Sequence, residues 1–326
     1  MQPTNITGAA FVGLSEFGGL VYVPGTFQAT DRTLVWIDRH EGRVEPLSLP
    51  SQPYSRLSLS PDGQQVAVVI DQGSQQQIST HDVSRAGSLT PLPLEAPQNQ
   101  SPEFTPDGSR ISFVAIRGTN SSLLLVSADG SGDAESLLTT EGVIWRSDWS
   151  ADEQFLAFEK GSSDTDSDIW FMTPEAGGEQ KVFLDSDFNE QRPRFSPDGR
   201  WLAYYSDESG RGEIYVRSFP NPEERREKIS TEGSELGLAW APDGRELFYL
   251  NGNTMMTVDI ETEPDFIAGT PQVLFEAPFP VSPEFDVTPD GQRFLMVQIG
   301  EQQGAGLINV VLNWFEELKE RVPTGR

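Results

Sequence analysis

A short turn phrase that returns at a nearly constant interval limits this chain to a repeat architecture. Five copies contain Pro-Asp-Gly after an apolar residue and a Ser, Thr or Ala, at residues 59–63, 104–108, 195–199, 240–244 and 287–291. Two worn copies lie at 14–18 and 149–153. The final residues of the seven copies are separated by 45, 45, 45, 46, 45 and 47 residues. Such a period indicates repeated copies of one supersecondary unit.

Each period carries β-strand signals on both sides of that phrase. An apolar residue precedes the turn, and β-rich runs follow it, as at 65–70, 77–82 and, more weakly, 89–94. Pro presets φ, Asp accepts local N–H groups and Gly adopts a positive φ, so Pro-Asp-Gly predicts a hairpin between the first two strands. Four short antiparallel strands in each period are typical of a β-propeller blade.

We therefore predict an all-β fold, a seven-bladed β-propeller of four-stranded antiparallel blades, as a single domain over residues 1–326. The expected blades are 9–50, 51–95, 96–140, 141–185, 186–231, 232–278 and 279–314. A closing strand is expected within 1–8 and a short C-terminal helix at 315–322. Closure of the ring would remove the exposed sheet edges that favour aggregation.

The repeat resembles that of the TolB-like β-propellers over nearly the whole chain. The order of segments is similar, more narrowly, to the propeller at the C-terminal end of bacterial receptor-type Ser/Thr protein kinases. The segments that carry this resemblance are 19–23, 33–38, 40–42, 189–192, 292–296 and 309–314. The resemblance implies a bacterial sensor domain in an extracytoplasmic setting. The sequence itself lacks the Gly-rich loop and the His-Arg-Asp loop of protein kinases. The resemblance also leaves a six-bladed ring as the alternative, because TolB-like propellers commonly have six blades.

The composition excludes several classes of function. The 326 residues include 23 basic and 50 acidic side chains, a net charge of −27, which argues against binding to a nucleic acid backbone. There is no cysteine, so disulfides and thiolate zinc sites are excluded. His40 and His81 are the two histidines, too few for a three-His metal site. No apolar run approaches the roughly 18 residues of a membrane span, so we expect no membrane insertion.

Two positions in the first strand of each repeat concentrate charge beside the predicted channel. Glu103, Asp148 and Arg194 lie three residues before the Pro position, and Arg146 and Arg192 lie two residues earlier. Mutual ion pairs would satisfy these charges. The alternative is a polar ligand site at the channel mouth, where paired arginines suit carboxylates or phosphates. The hypothetical ligand-binding set is Glu103, Arg146, Asp148, Glu190, Arg192 and Arg194.

An acidic stretch has the one-three-five spacing of a calcium loop at Asp164, Asp166 and Asp168. The sixth position is Ile169 where an EF-hand needs Gly, and a strand has already begun there, so the EF-hand interpretation fails. A loose surface calcium site stays open beside the simpler interpretation, a solvated acidic hairpin. We expect no other metal and no cofactor. The Pro-Asp-Gly aspartates are expected to cap their own turns.

The sequence contains no catalytic triad and no metal quartet, so the leading hypothesis is a non-catalytic binding, scaffolding or sensor propeller. Its expected partner is a protein, a peptide or a small anionic ligand, bound at the channel mouth by a monomer. One alternative is a carboxylate-based glycoside hydrolase or lyase that uses Glu103 and Asp148. Another is a stability module or stalk. We expect an extracytoplasmic location if this sequence is part of a longer protein, and a cytoplasmic one otherwise.

Overall fold

The computed structural model describes residues 12–14, 20–22, 31–161, 167–175, 177–263, 265–300 and 309–311. These residues form strands, turns and loops, with no helix among them. None of them belongs to a helix long and apolar enough to cross a membrane. The chain divides into two compact units, 31–300 and a terminal unit made of 1–30 with 301–326.

Strands of two to eight residues make up the larger unit. In chain order they are β3 Arg32–Asp38, β4 Val44–Pro46, β5 Tyr54–Leu59, β6 Gln65–Asp71, β7 Gln76–Asp82, β8 Thr90–Pro91, β9 Gln98–Phe104, β10 Arg110–Arg117, β11 Asn120–Ser127, β12 Glu135–Glu141, β13 Val143–Trp149, β14 Leu156–Gly161, β15 Ser167–Met172, β16 Gln180–Leu184, β17 Glu190–Phe195, β18 Trp201–Ser206, β19 Glu213–Ser218, β20 Arg226–Lys228, β21 Leu238–Trp240, β22 Glu246–Asn251, β23 Thr254–Glu261, β24 Ile267–Ala268, β25 Gln272–Glu276, β26 Val281–Val287 and β27 Arg293–Ile299. In the terminal unit, β1 Val12–Leu14, β2 Leu20–Tyr22 and β28 Asn309–Val311 form one three-stranded sheet in the order β1-β2-β28.

The larger unit is built from antiparallel meanders whose first strands lie side by side around a common centre. Strands β13–β16 and β17–β20 form separate four-stranded sheets, and β21–β25 form a five-stranded one. The meanders β5–β8 and β9–β12 are joined into one eight-stranded sheet by the single pair Gln76↔Gln98. The last sheet has the order β26-β27-β3-β4. The inner strands β5, β9, β13, β17, β21 and β26 each contact the next, and β26 contacts β5, which closes the ring.

The prediction of an all-β propeller is confirmed, but the prediction of seven blades is wrong. The described residues hold neither seven nor six separate four-stranded sheets, since three sheets have four strands and the others have three, five and eight. The difference arises because β3 pairs with β27, from Arg32↔Ile299 to Asp38↔Arg293. The third and fourth strands of the first repeat thus complete the sheet of the last repeat. The predicted closing strand at 1–8 and the helix at 315–322 lie outside the described residues, and the single-domain boundary stays a prediction.

The Pro-Asp-Gly turns have the predicted internal geometry. In the first complete turn, an Asp62 carboxylate oxygen accepts the Ser60 hydroxyl at 2.6 Å and the Gln64 amide at 2.9 Å. These bonds hold the pKa of Asp62 below its usual value. The Gly63 amide donates to the Ser60 carbonyl at 2.7 Å, and Gly63 has a φ of 69°. The aspartates therefore stabilise their own turns, as expected.

Neighbouring turns also pack against each other around the ring. A Cβ atom added to Gly63 would lie 2.8 Å from Cδ of Pro289, which belongs to the turn of the last repeat. The same contact recurs between Gly108 and Pro61, at 3.4 Å. Gly63 is thus required for its positive φ and for the close approach of the turn that precedes it in the ring.

Trp240 lies in the core between two sheets, as the alternation of its strand predicts. It is 8% exposed and packs in a cluster with Leu238, Leu247 and Tyr249. Its indole Nε1 donates to the Arg194 carbonyl at 3.1 Å, which joins β21 to the inner strand β17. Trp240 therefore contributes both apolar burial and an inter-sheet hydrogen bond.

We expect Gly63→Ala to lower the free energy of unfolding by about 1–3 kcal/mol more than Gly73→Ala, because only the first clashes with a proline. Gly73 is a matched control, since its φ is 83° and nothing lies within 4 Å of an added Cβ. Both variants carry the cost of a left-handed alanine, about 1–2 kcal/mol. Urea unfolding measures the difference, and equal losses would contradict the packing of turn on turn.

We expect Trp240→Ala to lower the free energy of unfolding by about 3–5 kcal/mol, because it removes a large buried side chain. Trp145→Ala serves as the control, since Trp145 is 39% exposed, and its loss should be clearly smaller. Chemical denaturation monitored by circular dichroism tests both. A loss below about 1 kcal/mol at Trp240 would rule out its place in the core.

Candidate functional site

Two layers of side chains, one from each of two repeated positions, occupy the inner strands around the channel. We name the first the start layer, because it lies nearer the beginning of each inner strand, and it contains Arg56, Ser101, Arg146, Arg192, Gly237 and Glu284. We name the second the turn layer, because it lies nearer the Pro-Asp-Gly turns, and it contains Ser58, Glu103, Asp148, Arg194, Ala239 and Asp286. Ser101 and Arg192 have positive φ values of 53° and 55°. The strand pairing shifts register beside these residues, which marks β-bulges that re-aim the side chains.

In the turn layer a single arginine neutralises three carboxylates. Arg194 lies 3.0 Å from Glu103 and 2.7 Å from Asp148, and Asp286 interacts with it electrostatically. Burial, together with the charges of Asp148 and Asp286, raises the pKa of Glu103 to about 7 although Arg194 opposes the shift. The same burial raises the pKa of Asp148 and Asp286. The three acids hold the pKa of Arg194 well above its usual value despite the cost of burial.

The turn-layer acids also join one inner strand to the next through backbone hydrogen bonds. Asp148 accepts the Phe195 amide at 2.7 Å, and Asp286 accepts the Leu59 amide at 2.8 Å. Ser58 occupies the equivalent position of its strand, and its hydroxyl accepts the Phe104 amide at 3.3 Å. Since the same bond recurs with a neutral side chain, the role of these residues in the turn layer is structural.

The start layer has the opposite balance, with three arginines around one carboxylate. Arg146 and Arg192 both donate to the same oxygen of Glu284, Arg192 at 2.8 Å. These arginines, with Arg56, hold the pKa of Glu284 well below its usual value although the group is buried. Burial and the charge of Arg146 lower the pKa of Arg192 to about 10. Glu159 adds a second carboxylate nearby, and it accepts the Arg192 amide at 3.2 Å.

Five of the six predicted site residues lie together, and one does not. Glu103, Arg146, Arg192 and Arg194 line the central cavity, and Asp148 is bound to Arg194. Glu190 is not among the lining residues and accepts the Ser186 hydroxyl at 2.6 Å. The prediction left out three charged residues of the same layers, although they occupy equivalent repeat positions. These are Arg56, Glu284 and Asp286.

The calcium hypothesis finds no support in the part of the chain that the structure describes. Asp164 and Asp166 lie outside the described residues, and Asp168 belongs to β15. No group of three His, Asp or Glu side chains among the described residues could hold a metal ion.

The central cavity restricts what the site can do chemically. Its free volume is about 10 Å³, room for about one water molecule. Glu103 and Asp148, the acids that a glycoside hydrolase would need, are both paired with Arg194. An inverting pair needs carboxyls about 6.5–9.5 Å apart across an open cleft, with one of them acting as an acid. Because Arg194 holds both acids, neither is placed to act as the free acid of such a pair.

Comparison with known proteins agrees with this fold. Residues 101–313 match the family model described as the TolB beta propeller domain, and the chain belongs to that family.

A curated relative and two solved structures resemble the chain. The Tol-Pal system protein TolB of Desulfotalea psychrophila is 29% identical over 111 residues, which are 34% of this chain and only 23% of that protein's length. A protein assigned as TolB from Agrobacterium tumefaciens superposes with a TM-score of 0.68 at 15% identity, over 83% of this chain and 99% of that one. TolB from Acinetobacter baumannii gives 0.56 at 15% identity, over 86% of this chain and 66% of that one. At these identities the two structures establish the shared fold alone.

We expect the stability of the protein to fall as pH rises because of Glu190. Burial raises the pKa of Glu190 to about 7, and one of its carboxylate oxygens is buried without a hydrogen bond among the described residues. The folded state therefore retains a proton that the unfolded chain loses near its ordinary pKa of 4.5. Stability present below that value is lost as pH rises through about 7.

Glu190→Gln removes this titration. We therefore expect the free energy of unfolding of the variant, relative to that of the wild type, to rise by about 1 kcal/mol from pH 5 to pH 8. Glu179→Gln is the control, since that side chain is 81% exposed. Melting temperatures measured at both pH values test the expectation, and a difference that does not change with pH would contradict it.

Proposed function

We propose that this protein is a non-catalytic binding propeller that captures a carboxylate-bearing segment of a partner protein or peptide at the channel mouth. The contacts we assign to the ligand are Arg146 and Arg192 in the start layer. Glu103, Asp148 and Arg194 form the supporting frame beneath them, and Glu190 is left out because it does not line the cavity.

One observation carries the proposal: Arg146 and Arg192 already hold a carboxylate, that of Glu284. The start-layer arginines therefore have the spacing and charge to bind a carboxylate, and a ligand would take the place of Glu284 or of the water that the cavity can hold. The three arginines of this layer outnumber its one acid in a protein whose net charge is −27. A local cation excess within a negative protein is selective, because the overall field repels anions that lack a fitted contact. Planar guanidinium groups bind carboxylates through paired hydrogen bonds.

The setting of the function is also part of the proposal. Membership of the TolB beta propeller family supports an extracytoplasmic location. The resemblance to the propeller of receptor-type kinases supports a sensor role within a longer protein. A small anionic ligand in place of a peptide remains an outcome of the test described next.

The test is a binding assay with a fluorescent hexapeptide library that has free C-terminal carboxylates, compared with the same library amidated. We expect wild-type protein to enrich acid-ended peptides. Arg192→Ala should weaken the binding of the enriched peptides by ~2 kcal/mol, about 30-fold, because it removes a desolvated charge contact. Arg245→Ala is the matched control, since Arg245 is exposed and lies outside the start layer.

Two further results complete the test. Arg194→Ala should lower the melting temperature strongly, because it leaves three buried carboxylates without their cation. Equal binding of acid and amide libraries, or unchanged affinity in Arg192→Ala, would mean that the channel mouth is not the site. Binding of small dicarboxylates without any peptide would favour the small-ligand alternative.

A further inference from the structure

The Arg56 side chain makes no hydrogen bond and no ion pair with any described residue, whereas the other arginines of the two layers all do. Arg56 lies on β5, beside the register shift between Tyr54 and Arg56 in the pairing with β6. Its side chain lines the central cavity together with Arg146, Arg192 and Glu284. The other two start-layer arginines, by contrast, are both bound to Glu284.

The charges around Arg56 do not compensate for its burial. Burial, together with the charges of Arg146 and Arg192, lowers the pKa of Arg56 to about 9. Glu284 and Glu159 attract it, but Glu284 is held by the other two arginines and Glu159 accepts a backbone amide. Arg56 is half-buried, and a partly desolvated cation without a bonded anion adds little to the stability of a fold, so its guanidinium is available to an anion from solution.

A neighbouring side chain offers a second unused polar group. The Ser147 hydroxyl is buried without a hydrogen bond among the described residues, and Ser147 lines the same cavity. The free volume of about 10 Å³ is too small for a sugar or a phosphate ester. A carboxylate is smaller than either of these groups, and it would have to displace the water that this volume can hold. Glu284 demonstrates that the arginines accept a carboxylate.

We infer that Arg56, with Ser147 lining the same cavity, is the primary receptor for a single carboxylate that enters the channel from the end where the inner strands begin. The inference rests on the proposed function and deepens it by naming the residue that makes the contact. Glu284 then acts as an internal competitor, since its carboxylate neutralises the arginines that would otherwise add to the attraction. Removing its charge should strengthen binding, and removing the charge of Arg56 should weaken it.

The first experiment compares melting temperatures without added anion. Arg56→Met keeps the aliphatic stem and removes an uncompensated cation, so it should melt about 2 °C or more above the wild type. Arg146→Met should melt below the wild type, because it takes a bonded partner from Glu284. An arginine that serves only the fold would lower the melting temperature when replaced.

The second experiment titrates wild type and variants with sodium acetate at constant ionic strength, using acetamide as the uncharged control. We expect saturable stabilisation of the wild type by acetate, at least tenfold weaker binding in Arg56→Met and at least tenfold tighter binding in Glu284→Gln. Inorganic phosphate should bind more weakly than acetate, which separates a carboxylate site from a general anion site.

The inference is overturned if Arg56→Met melts below the wild type, if acetate gives no saturable response in the wild type, or if its affinity is the same in Arg56→Met. Failure of the proposed function has a different signature. Peptides that bind wild type and Arg56→Met equally would reject the inference and leave the function standing. An acetate site that depends on Arg56, in a protein that binds no acid-ended peptide, would reject the function and leave the inference standing.

Discussion

The hydrogen bond from an inner-strand amide to a side chain of the preceding inner strand is the contact on which the centre of this protein depends. Inner strands expose one row of backbone N–H groups toward the channel, and buried N–H groups need acceptors. Asp148, Asp286 and Ser58 supply three of these acceptors. Carboxylates are strong acceptors, but each one brings a negative charge into a desolvated place. Arg194 therefore also stabilises the inner strands, because it neutralises the acids that accept their backbone amides.

That requirement separates the two layers in function. In the turn layer every acid is engaged by Arg194 or by a backbone amide, so little is left for a ligand or for acid–base chemistry. In the start layer the proportions are reversed, with three arginines facing Glu284 and the neighbouring Glu159. Similar residues at similar repeat positions thus hold the ring together in one layer and, under the proposed function, bind a ligand in the other.

Much of this could be predicted from the repeat, and the exceptions have physical causes. The turn chemistry, the strand positions and the burial of Trp240 follow from local signals that recur in each period. The number of sheets cannot be predicted from such signals. Strands β2 and β27 follow equivalent turn phrases, so either of them could pair with β3. The choice of β27 is made by ring closure between segments about 255 residues apart, which no local pattern encodes.

The candidate site divides in the same way. Repeat positions placed Arg146, Arg192, Arg194, Glu103 and Asp148 near each other, and the structure brings them together. Partners from distant repeats were harder to single out, as with Arg146 and Glu284, which are 138 residues apart in sequence. Glu190 was misplaced because the bulge between Gln191 and Arg194 breaks the simple alternation of strand faces.

The pairing of β3 with β27 also has a consequence during synthesis. Asp38 is made long before Arg293, and at about 5–20 residues per second the interval is about 13–50 s. For that time β3 and β4 have no completed sheet to join, and an unpaired strand edge is a template for association with other chains. The pair carries residues that discourage such association, including Pro46 in β4 and the charged Arg32 and Asp38 at the ends of β3. The sequence of β3 and β4 thus discourages association with other chains before β27 has been made.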